Sequence, residues 1–198
     1  MDTMKKRILL GLVVVLAALL VIVVLWPQPN DERQQASTGP QGGDFVLQSA
    51  AGPVALHDYR GKVVLLYFGY TWCPDICPTS LSLMGQALRE LKPGELEKVQ
   101  GIFVSVDPQR DTVDRLQSYA RYFHPKIIGV TGTAEQVAVV AKQYGAVYHK
   151  VAGDSADEYV VDHTAFTYVI RPNGELYKIL PHGTAPADID AAVRSALN

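Results

Sequence analysis

Residues 62–81 read KVVLLYFGYTWCPDICPTSL. The first half is an unbroken apolar run, the pattern of a central strand buried on both faces. The second half holds both cysteines of the chain, Cys73 and Cys77, each followed directly by proline. Leu81, Met84, Leu88 and Leu91 then recur at helical spacing, and Pro93-Gly94 ends that helix. A buried strand therefore runs straight into a cysteine pair at the head of a helix.

The pattern continues outward from this centre. Residues 99–106 form an apolar, β-branched strand. Residues 111–123 read as a helix with Val113, Leu116 and Tyr119 on one side. A short strand at 127–130 and a helix at 133–144 follow, with Gly145 as the C-terminal stop. Residues 160–170 and 176–180 flank Arg171-Pro172-Asn173-Gly174, a hairpin turn signal, and 186–197 reads as a last helix. Upstream, two short strands at 45–47 and 54–56 flank Ala51-Gly52-Pro53. Strands alternating with helices, closed by a hairpin and a helix, give an α/β domain with the layout of a thioredoxin-like fold.

The N-terminus carries a different signal. Lys5, Lys6 and Arg7 precede an uncharged apolar run over residues 8–26. As a helix rising about 1.5 Å per residue it is roughly 28 Å long, close to the hydrocarbon thickness of a bilayer. No A-x-A-like cleavage site follows. The expectation is a cytoplasmic stub and membrane anchor helix at 1–26, a flexible tether at 27–43 and a globular domain at 44–198. The positive flank stays inside, so the domain faces outward, on the periplasmic side of a bacterial inner membrane. The net charge of −2 and the lack of a basic stripe argue against nucleic acid as a partner.

A domain of this length buries a core without disulfide staples, so the two cysteines call for a chemical explanation. Pro78 suits the first position of a helix, which puts Cys77 at or near the N-cap and Cys73 one loop earlier. Helix-end N–H groups favour thiolate there. Both sulfurs are expected close together, facing solvent, at the edge where open α/β sheets bind ligands. Two close thiolates either bind a soft metal such as Cu(I) or Zn, or cycle between dithiol and disulfide. The three intervening residues, against two in common redox motifs, lean modestly toward metal.

A two-sulfur copper site takes imidazole as a third ligand. Of the five histidines, His57 and His182 read as loop residues and His124-Pro125 as a turn after a helix. His163, in YVVDHTAFTYVI, enters a strand expected beside the central one. In a thioredoxin-like layout the loop entering that strand faces the cysteine loop. Asp162 is positioned to influence the imidazole's orientation, and His149 is the second candidate.

YFGYTWCPDICPTSL, VSVDPQRDTVDRL and YVVDHTAFTYVIRPNG together resemble the Sco/SenC family of membrane-anchored copper proteins. The resemblance spans the domain from about residue 44 onward. It implies a thioredoxin-like fold and a role in assembling cytochrome c oxidase, chiefly its binuclear copper centre. It further implies copper, as Cu(I), Cu(II) or both, held by Cys73, Cys77 and His163. The implied partners are the copper-bearing oxidase subunit and another periplasmic copper chaperone or thiol reductant. A membrane-anchored thiol–disulfide reductase built on the same cysteine pair is the alternative. Asp107, Pro108 and Asp111 belong to the family pattern too, but read first as loop shape and helix capping, with Asp111 or Thr112 as the cap. Tyr67 and Tyr70 read first as strand-core residues.

Overall fold

The computed structural model describes residues 39–153 and 159–198. The expected anchor and residues 27–38 of the expected tether lie outside this range. Among the described residues no helix is long and apolar enough to cross a membrane.

Strand β1 (Val46–Ser49) and β2 (Gly52–Ala55) form a small antiparallel hairpin, followed by a 3-10 turn at Leu56–Tyr59. The central strand β3 (Val63–Gly69) has every residue buried, as its unbroken apolar run requires. Helices α1 (Ile76–Glu90) and α2 (Pro93–Leu96) follow, then β4 (Val99–Ser105), α3 (Val113–Phe123), β5 (Ile127–Val130) and α4 (Ala134–Gln143). The chain closes with β6 (Tyr148–Ala152), β7 (Tyr159–His163), β8 (Thr167–Ile170), β9 (Leu176–Leu180) and α5 (Pro186–Leu197).

The main sheet has five strands in the order β5-β4-β3-β8-β9. β3 and β4 run parallel from Val63↔Val99 to Gly69↔Ser105, and β4 and β5 are also parallel. β8 runs antiparallel to β3, and β9 antiparallel to β8. Side-chain alternation along β3 divides the core. Phe68 packs toward Tyr144 and Tyr168 on one side, while Tyr67 stacks with Phe103 on the other. Each large side chain so removed from water contributes about 1.5–3 kcal/mol. Because β3 ends at Gly69 and α1 begins at Ile76, six residues carry the chain from the sheet's edge into the helix.

The strand expected over residues 160–170 is two strands. β7 leaves the main sheet and pairs antiparallel with β6, with Tyr148 opposite His163 and His149 opposite Asp162. Residues 164–166 turn the chain back into the sheet as β8. The break is held by Thr164, whose N–H donates to the Val147 carbonyl at 2.9 Å while its hydroxyl accepts from the Val147 N–H at 3.3 Å. The packed body begins at Pro40, four residues before the expected boundary. Gly42 N–H donates to the Gln143 carbonyl at 3.0 Å, and the Tyr144 hydroxyl donates to the Gly43 carbonyl at 2.8 Å.

Candidate metal centre

Helix α1 starts at Ile76, two residues earlier than Pro78 suggests, with Asp75 as its N-cap. Proline is tolerated throughout a first helical turn, whose N–H groups have no intrahelical acceptor. Cys77 therefore lies inside the helix rather than at its cap. Its sulfur is driven inward against the end of β3, and a Cβ placed on Gly69 would stand 2.6 Å from it. Only glycine fits there. Cys73 sits in the preceding loop, its N–H bonded to the Tyr70 carbonyl at 3.3 Å. The expectation of solvent-facing sulfurs is corrected: Cys77 is 0% exposed and Cys73 8%.

His163 comes in from the end of β7. Its Nε2 lies 3.1 Å from Cys77 Sγ, and its Nδ1 donates to the Thr164 carbonyl at 3.1 Å. That donation leaves the Nε2 lone pair free to face the sulfur, the tautomer a metal ligand requires. Ligand atoms of Cys73, Cys77 and His163 all lie within 4.8 Å of one another. The two sulfurs differ in environment. The hydrogen bond from Cys77, foremost, with the N–H groups of Cys77 and Asp75, holds Cys73 well below the usual thiol range. Burial pushes the Cys77 thiol up.

Two networks of buried carboxylates fix the pieces that carry these ligands. Asp111, fully buried, accepts from the Thr71 N–H at 2.9 Å, from the Thr71 hydroxyl and from the Ser105 hydroxyl at 2.6 Å. It ties the cysteine loop to the end of β4. The cap of α3 is Thr112, whose hydroxyl accepts from the Arg115 N–H, so Asp111 is not the cap. Asp107 accepts from Arg110 Nε and from the Tyr159 hydroxyl, and Arg110 Nη1 donates to the Tyr159 carbonyl. This second network ties the β6–β7 hairpin, and with it His163, to the same β4 end.

Asp162 does not orient His163. It is exposed and faces His149 across the hairpin at 3.5 Å. Neighbours along a strand point to opposite faces, so the residue beside His163 is turned away from it. His149 shares that outer face and is likewise outside the site. Tyr67 and Tyr70 stand edge-on to the His163 ring, with centroids at 6.3 and 5.9 Å and interplanar angles of 89° and 86°. Trp72, beside Cys73, is 54% exposed with the Arg115 guanidinium 4.5 Å from its ring centre.

A family model described as SCO1/SenC matches residues 33–198. The chain belongs to the SCO1/SenC family. Among its SCO1/SenC relatives, the mitochondrial protein SCO2 homolog of Bos taurus is 43% identical over 150 residues, covering 74% of this chain and 55% of that protein. The chain thus spans just over half of that relative's length. Apo Sco1 of Thermus thermophilus superposes with a TM-score of 0.71 at 41% identity, covering 79% of this chain and 90% of the other. Copper-bound ScoI of Arabidopsis thaliana superposes with a TM-score of 0.72 at 36% identity, covering 79% and 97%. The likeness establishes the thioredoxin-like fold.

In this SCO1/SenC chain the sequence pointed to Cys73, Cys77 and His163 individually, and folding brings all three together. Sequence reasoning ranked an outer-shell role for Asp107 and Asp111, and closure of the site by Tyr67 and Tyr70, behind loop shape, helix capping and strand-core packing. Polar residues at the C-terminal end of a buried strand were the available signal for the two carboxylates. For the tyrosines, position beside the cysteine loop was the signal, and it ranked second because a core tyrosine and a site tyrosine have the same apolar neighbours.

Proposed function

We propose that the domain holds one copper ion between Cys73, Cys77 and His163 and passes it to the copper-bearing subunit of cytochrome c oxidase. The carrying observation is the convergence within 4.8 Å of three ligand atoms supplied by a loop, a helix and a distant strand end. Two thiolates and a neutral imidazole form a soft donor set suited to Cu(I). Burial of both sulfurs shields the ion from water, so transfer proceeds by exchange with ligands that the acceptor brings in. A further chaperone or thiol reductant acts upstream. The chain is organised as a stub and anchor at 1–26, a tether from 27 up to the packed body at Pro40, and this domain, held on the outer face of a bacterial cell membrane.

The test is an anaerobic Cu(I) titration of the full chain in detergent against a competing chelator. Cys73→Ala and Cys77→Ala are each expected to abolish tight binding, and His163→Ala to lose much of the affinity. Tight one-to-one binding surviving in both cysteine variants overturns the assignment.

A second reading rests on the unequal sulfurs. The less buried Cys73, favoured as thiolate, attacks a disulfide of the copper acceptor and releases one of its thiolates. Cys77 then attacks the Cys73 sulfur, frees the second acceptor thiol and leaves a Cys73–Cys77 disulfide. This reductase chemistry tolerates His163→Ala, whereas the three-ligand copper site does not. A reduction potential near that of thioredoxin, about −270 mV, supports the reductant role.

A further inference from the structure

Tyr70 bridges the cysteine loop and the strand that carries His163. Its carbonyl accepts the Cys73 N–H at 3.3 Å. Its hydroxyl accepts the N–H of Val161 at 3.2 Å, in a wholly buried contact two residues before His163. Its ring stands edge-on to the His163 ring. β6 and β7 form a sheet of only two strands, so each strand has an outer edge without a ladder partner. The Tyr70 hydroxyl takes the place of that partner for Val161, whose residue is only 3% exposed and whose N–H therefore has little access to water.

We propose that Tyr70 is a positioning residue for the metal centre: its hydroxyl pins β7 and its ring braces the imidazole, so that His163 Nε2 is presented to the sulfur pair. The backbone arm holds the cysteine loop whatever the side chain. The hydroxyl arm is what joins the hairpin to that loop. The inference rests on the copper reading of the site, and it concerns a side chain that donates no atom to the metal.

The experiment compares wild type, Tyr70→Phe, His163→Ala and the double variant as full chains in detergent. Two quantities are measured: Cu(I) affinity by anaerobic competition, and hydrogen exchange of the Val161 amide in the metal-free protein. Tyr70→Phe keeps the ring and removes only the hydroxyl. It is expected to weaken Cu(I) binding about tenfold, the lower end for groups that orient a metal ligand. It should also speed Val161 exchange without metal present. In the His163→Ala background it should cause no further loss of affinity. The proposal is overturned if Tyr70→Phe leaves both quantities unchanged, or if it weakens binding equally with and without His163, as a general structural defect would. A normal affinity in His163→Ala overturns the copper reading and this inference with it. A weakened His163→Ala beside a normal Tyr70→Phe overturns this inference alone.

Discussion

Gly69→Ala tests how closely the end of β3 fits the buried sulfur. The added methyl would lie 2.6 Å from Cys77 Sγ, 3.0 Å from Phe103 Cε2 and 3.1 Å from Tyr67 Cε1. The first contact is about 1 Å inside ordinary van der Waals separation, on the steep repulsive side. Relief by moving the strand is costly, because β3 is paired with β4 through Gly69 itself. Phe103 and Tyr67 are stacked and fully buried, so neither ring swings away freely. The sulfur and the first turn of α1 must give way. Overpacking of this kind costs about 1–3 kcal/mol, which in a domain of this size lowers Tm by roughly 2–12 °C. Metal sites tolerate ligand displacements of only about 0.2 Å, so Cu(I) affinity should fall at least tenfold along with stability. Thermal unfolding of the metal-free chain and anaerobic chelator competition measure the two effects. Gly94→Ala is the control, since a Cβ there meets nothing within 4 Å. Wild-type Tm and affinity in Gly69→Ala would refute the reasoning.

Asp111→Asn replaces an acceptor of three buried hydrogen bonds with a group that is half donor. A loss of about 2–3 kcal/mol in urea denaturation is expected, together with weaker Cu(I) binding through the loosened cysteine loop. His124 accepts the Lys126 N–H at Nδ1, and burial, with Arg89 and Lys126 nearby, holds its pKa below the ordinary value. Between the unfolded value near 6.5 and the depressed folded value, the unfolded chain binds the extra proton. Stability should therefore fall as pH drops below about 6.5 and level off once the folded pKa is passed. His124→Asn, whose Oδ1 keeps the acceptor, should flatten that slope in denaturation curves at stepped pH. Copper should be released in acid, since thiolates and imidazole must be deprotonated to bind it; an affinity unchanged from pH 7.5 to pH 5 would count against thiolate ligation.

The central strand was legible because seven consecutive buried positions leave no other reading of an apolar run that short, and β4 declared itself the same way. The cysteine pair was legible from rarity and from its place after that strand. The depth of the sulfurs was not. Proline marks the first turn of a helix without saying which of its positions it fills, and a shift of two residues turned Cys77 from a rim position into the core. The break between β7 and β8 was hidden because Thr164, Ala165 and Phe166 interrupt no β pattern; what ends β7 is pairing with a strand more than ten residues upstream. Asp162 is the opposite case. Strand alternation was enough to show that it points away from its neighbour His163. Asp111 lay between, since an acidic residue beside a helix start reads as a cap until buried Thr71 and Ser105 claim it.

The donors are divided between two mechanical parts. Both sulfurs belong to the five-stranded body, while the imidazole rides on a separate two-stranded flap fastened by Tyr159, Arg110 and Tyr70. Under the copper-transfer proposal, an acceptor that loosened those fasteners would take away one donor, His163, and leave the two sulfurs in place. On that proposal, release would be tied to contact with the recipient rather than to chance leakage.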